Sequence, residues 1–127
     1  MTSANAKRPL ESVNERTELT RSKPAKNGVY QDGVRGVILG LKGTNSIHAF
    51  NVDCHGKTWV AQQFIPITSK GAFTYSGADF LVKNGHRTST RGTMTASGTF
   101  RKSRLVVGRF AAGGCAGHYT ATFSYSR

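Results

Sequence analysis

A chain of 127 residues has room for one domain built around one core. Its apolar fraction is 37%, and its longest aliphatic run, Val37-Ile38-Leu39, is far too short for a membrane-spanning helix. Eighteen Lys and Arg against six acids give a formal net charge of +12, which favours polyanionic partners such as nucleic acid, acidic polysaccharide, teichoic acid, an anionic membrane or an acidic protein face.

Residues 1–26 read as an extended arm. Its first eight residues, Met1 to Arg8, contain no apolar h-region, so no signal peptide is expected there. Leu10, Val13 and Leu19 are its sizeable apolar side chains, separated by charged and hydroxylic neighbours. Three such residues bury too little surface to offset the ordering entropy of the segment. The arm is therefore expected to use them as anchors on a partner protein or assembly.

From residue 27 to residue 127 the pattern is that of a β domain. Val29-Tyr30 and Val34 to Leu41 are β-rich and broken by glycines, with a turn at 42–45. In Ile47 to Cys54, alternation places His48, Phe50, Val52 and Cys54 on one face. His55-Gly56-Lys57 reads as a turn before Thr58 to Ile67, where Pro66 marks an edge or a strand end. After a turn at 68–71, Phe73 and Tyr75 alternate with Thr74 and Ser76, and Phe80-Leu81-Val82 leads to Asn84-Gly85, the strongest hairpin signal in the chain. The returning segment from His86 to Thr95 is hydroxylic and basic, so at least one of its faces meets water. Phe100, a basic turn Arg101-Lys102-Ser103-Arg104 and a strand from Leu105 to Phe110 follow. A Gly-rich loop holding Cys115 precedes a last strand in which Tyr119, Ala121, Phe123 and Tyr125 alternate with polar residues.

Seven to eight short strands with turns every 8–12 residues predict an all-β, antiparallel sandwich or barrel, with the sandwich preferred. The expected core is Phe50, Val52, Trp59 or Val60, Phe64, Phe73, Tyr75, Val106, Phe110, Tyr119, Ala121 and Phe123. Cys54 and Cys115 fall in different predicted strands of a domain with a thin core, which predicts a disulfide and an oxidising compartment.

Little in the sequence suggests catalysis. The body holds three acids, Asp32, Asp53 and Asp79, each read as lying beside a turn, where aspartate commonly accepts backbone amides. A disulfide would consume Cys54 as a nucleophile. The four histidines lack zinc spacing, and no phosphate-binding or dinucleotide motif is present, so no metal, cofactor or enzymatic activity is expected. The basic residues are the better candidates. Arg87, Arg91, Arg101, Lys102 and Arg104 form two groups expected to contact an anionic polymer.

The blocks Gly28-Val29-Tyr30, Ile47 to Cys54, Gly71 to Tyr75, Gly98-Thr99-Phe100 and Gly114-Cys115-Ala116-Gly117 occur in an order that resembles a small β domain of exported actinobacterial proteins. The resemblance covers about three quarters of the chain and implies an exported, non-enzymatic domain with a cysteine in each of two regions, matching Cys54 and Cys115. The charged arm departs from the usual signal and Ser/Pro-rich linker. The resulting expectation is a non-catalytic extracellular interaction module whose arm docks on a partner. The alternatives are a phage virion accessory or capsid decoration protein and a polyanion- or nucleic-acid-binding protein.

Overall fold

The computed structural model describes residues 27–101 and 104–125. Leu10, Val13, Leu19 and Lys102 lie outside them. The strands are β1 (Gly28–Asp32), β2 (Val37–Leu41), β3 (Ser46–Cys54), β4 (Lys57–Ala61), β5 (Ile65–Pro66), β6 (Ala72–Lys83), β7 (His86–Arg101), β8 (Leu105–Ala112) and β9 (Cys115–Tyr125). All pairings are antiparallel, and the order β2-β1-β9-β8-β7-β6-β4-β3-β5 closes through an additional β2–β3 pairing. One sheet therefore curls into a barrel, and among the described residues there is no second sheet to make a sandwich. Closure gives every stave a paired neighbour on both sides over part of its length.

The nine strands act as eight staves. β4 pairs with the end of β3 at Asn51 to Cys54, and β5 pairs with its start at Ser46 and Ile47, so the two lie end to end along one stave. Residues 62–64 interrupt that stave. Pro66 has no amide hydrogen to extend the ladder.

Three two-residue hairpins cluster at one end of the barrel, called here the far end. Asn84 (φ 51°) and Gly85 (φ 76°), as expected, take left-handed backbone, and so do His55 (φ 54°) and Gly56 (φ 76°). Gly113 and Gly114 form the third. Paired positive φ values fit the type I′ turn, whose twist matches that of the strands it joins. The described chain begins and stops at the opposite, near end.

Alternation fills the interior. Tyr30, Leu39, Leu41, Ile47, Phe50, Phe100 and Val106 are fully or almost fully buried, each contributing about 1.5–3 kcal/mol through removal from water. Tyr30 meets Phe100 and Phe123 edge-on with ring centroids 5.4 Å apart, and Phe50 meets Tyr119 at 5.8 Å. The expected core residues Phe50, Val52, Phe73, Tyr75, Val106, Phe110, Tyr119 and Ala121 are buried.

Phe64 is not: it is 63% exposed, because the interruption between β4 and β5 carries it outside the ring. Trp59 and Phe123 are half-buried against the two ends of the core, and Val60 is half-buried on the outside. The expected face of β3 fails at its start. Gly40 pairs with Ala49 but Leu41 pairs with Ile47, so His48 is an extra residue in a bulge. The bulge shifts the alternation, burying Ile47 and leaving His48 outside, where it stacks on Phe64 with centroids 4.0 Å apart.

Candidate polyanion interface

The disulfide occupies a gap in the far rim. The last β2–β3 pair joins Val37 to Val52, and the last β1–β9 pair joins Gln31 to Thr122. Beyond these pairs, β3 and β9 project past the short β1–β2 hairpin without strands between them. Cys54 and Cys115 bridge that gap with a Cα separation of 5.9 Å, within the ordinary range for a disulfide. His55 brings a third ligand-type atom within 4.8 Å of both sulfurs. The sulfurs are bonded to one another, however, so neither is the thiolate a zinc site requires.

Each acid of the body is committed to the fold. Asp32 accepts hydrogen bonds from the amides of Val34 and Arg35 (3.0 and 3.1 Å) and of Thr120 (2.9 Å), fixing the β1–β2 hairpin against β9. Burial alone would raise its pKa, but these amides and the Arg35 charge outweigh that effect and hold the carboxyl below its usual value. Asp53 accepts from the Thr58 hydroxyl at 2.6 Å. Asp79 departs from the expected position beside a turn. It lies mid-strand on the inward face of β6, fully buried, and neither carboxyl oxygen has a hydrogen-bond partner of ordinary geometry. Burial raises its pKa, and the backbone amides of Gly92 and Asp79 itself oppose this only in part.

The expected basic residues form two groups rather than one patch. At the far end, three residues of β7 (Thr88, Ser89 and Thr90) bulge opposite Leu81, because Phe80 pairs with Arg91 while Val82 pairs with Arg87. Both arginines thereby turn to the outward ring of Phe80, with guanidinium carbons 4.2 Å (Arg87) and 5.9 Å (Arg91) from its centroid. Arg91 Nη1 also donates to the Thr88 carbonyl at 2.7 Å, which fixes its direction. Such cation–π contacts contribute about 0.5–1 kcal/mol at exposed sites. At the near end, Arg101 closes β7, and Arg104 lies 5.2 Å from the centroid of Phe123.

β7 connects the groups. From Arg91 to Arg101 its outward positions are Arg91, Thr93, Thr95, Ser97, Thr99 and Arg101, since the inward positions are Gly92, Met94, Ala96, Gly98 and Phe100. At about 3.4 Å per residue, this track is roughly 34 Å long. Arg109, paired with Ser97, adds an exposed cation beside its middle, and His118 is paired with Arg109 on the next strand. A trough of about 590 Å³ crosses the track here, lined by Thr74, Ser76, Thr95, Ser97, Arg109 and His118 among others. The backbone beneath is fixed: the Tyr119 hydroxyl donates to the Ser97 carbonyl at 2.9 Å from inside the barrel, and burial pushes its pKa up, so it remains a neutral donor.

Sequence reasoning missed Arg109 and His118 as site residues. Alternation in β8 and β9 marks both as outward, but only the register across β7, β8 and β9 places them side by side at the centre of the track. Among the described residues, no helix is long and apolar enough to cross a membrane. No family model, curated protein or solved structure matches this chain.

Proposed function

We propose that this protein is a non-catalytic extracellular binding module that holds an extended anionic polymer along the outward face of β7. One observation carries the reading: that face presents only hydroxyls and arginines over its length, while the body's three acids are turned inward or engaged in the fold. Cations at each end and at the middle match a flexible chain of regularly spaced negative charges. The hydroxyls between them supply hydrogen bonds without competing charge. The disulfide is compatible with an oxidising, extracellular setting.

Displacement of counterions from a polyanion makes affinity fall with salt on a log–log scale, in proportion to the number of charges neutralised. Calorimetric titration with polyphosphate and with a sulfated polysaccharide, repeated across salt concentrations, tests the reading. The native chain is expected to bind with a steep negative slope, and Arg91→Gln with Arg101→Gln should flatten it by about two charges' worth. An unchanged slope in that double variant would place the binding surface elsewhere.

A further inference from the structure

We infer that the trough across the middle of β7 selects an anionic glycan, a sulfated or phosphorylated sugar polymer, over single-stranded nucleic acid; this rests on the polyanion reading above. Two rows of outward side chains define the trough. Thr74, Ser97, Arg109 and His118 are aligned across β6, β7, β8 and β9 by consecutive cross-strand pairs. The adjoining row is Ser76, Thr95, Ala111 and Ala116, whose short side chains keep the floor low beside the longer Arg109 and His118.

The chemistry of this lining is specific. Arg109 offers a planar fork of N–H donors suited to a sulfate or phosphate oxygen pair. His118 supplies a ring nitrogen beside it. The four hydroxyls can each donate and accept, which is what a sugar's own hydroxyls require. A nucleic-acid strand needs instead exposed aromatic faces between the cations, because stacking of bases supplies much of its sequence-tolerant affinity. The aromatic rings below the trough, Tyr75 and Phe110, are inward and buried. The outward ring of β6, Phe80, is already covered by Arg87 at 4.2 Å. The exposed aromatics Phe64 and Tyr125 are not among the trough's lining residues.

The test compares a heparin-derived decasaccharide with an oligothymidylate carrying the same number of charges, titrated into the full chain at one ionic strength. The glycan is expected to bind about tenfold more tightly, as one well-placed hydrogen bond to a charged group would give. Arg109→Gln, which takes one cation from the track and so weakens both ligands, and, separately, His118→Gln on the neighbouring strand should each weaken the glycan severalfold more than the oligothymidylate and so remove most of that preference. Arg91→Gln should weaken both ligands alike. Thermal unfolding of each variant confirms that the barrel is intact, and two exposed sites on different strands keep the test decisive if one variant misfolds. Equal affinity for the two ligands, or trough variants that shift both in parallel, would overturn the glycan assignment and leave polyanion binding standing. Failure of both ligands to bind would overturn the polyanion reading itself.

Discussion

Asp79 is placed at a cost: it is fully buried in the described barrel. A carboxyl without a hydrogen bond of ordinary geometry in the barrel interior is destabilising by about 1–3 kcal/mol even before it ionises, and the fold accommodates it by placing glycine opposite: a Cβ at Gly92 would lie 2.9 Å from Asp79 Oδ1. Because burial raises the pKa of Asp79, the folded chain holds a proton over a pH range in which the unfolded chain has lost it. Its contribution to stability is fully present below the unfolded value of about 4. That contribution falls as pH rises through the higher folded value and stays lost above it. Asp79→Asn keeps the shape and removes the ionisation. It is expected to raise the melting temperature at pH 7, by about 4–8 °C for each kcal/mol recovered, and to change it little at pH 3. Melts at the two pH values check this, and an equal shift at both would show that ionisation is not the source. The sequence reading placed Asp79 beside a turn, and its burial became visible once the inward phase of β6 was known.

At the level of strands and turns, the disulfide and the hairpins were the most legible features and the bulges the least. Asn84-Gly85 is readable because two consecutive positive φ values demand those residue types. The pairing of Cys54 with Cys115 is readable from their separation into different strands. The extra residue at His48 and the three-residue bulge opposite Leu81 leave no comparable signature, since each depends on which partner residue the neighbouring strand offers. The misplacement of Phe64 has the same origin: nothing local marks the point where one stave breaks into β4 and β5. The basic residues could be named from the sequence, but their arrangement along β7 needed the register. The disulfide closes a loop with a sequence separation of 61, and in the chain-entropy model its loss costs about 4 kcal/mol. Since it also spans the part of the rim that β1 and β2 do not reach, Cys54→Ser with Cys115→Ser is expected to loosen the far end first. Hydrogen exchange should accelerate at Asp53 to Lys57 and at Cys115 to His118 while β7 remains protected. Uniform acceleration throughout the barrel would mean that the bridge acts only through the unfolded chain.

For the whole molecule, the net charge is divided unevenly between residues 1–26 and the rest of the chain. Residues 27–127 hold twelve Lys and Arg against three Asp, a net +9, and residues 1–26 hold six against three Glu, a net +3. Most of the attraction to a polyanion therefore belongs to the part of the chain that forms the barrel. Within the ring that β2–β3 closes, β1 pairs with β9 through Val29 with Tyr125 and Tyr30 with Phe123, and the staves run from Gly28 to Tyr125. We propose that the first 26 residues act separately, with Leu10, Val13 and Leu19 anchoring the chain to a protein partner at the cost of ordering the segment on contact. A chain beginning at Asn27 is then expected to melt within a few degrees of the full protein, judged against the 4–8 °C that a single kcal/mol produces in a domain of this size. It should keep its disulfide and most of the salt-dependent slope for polyphosphate, while losing partners that co-purify with the full chain. Intact-mass measurement under non-reducing conditions, thermal unfolding and comparative pull-down on the two chains provide the readouts. Unfolding or aggregation of the shortened chain would make the arm part of the barrel's own stability. Full retention of the co-purifying partners would move the docking surface onto the barrel, leaving the arm's apolar residues without the anchoring role.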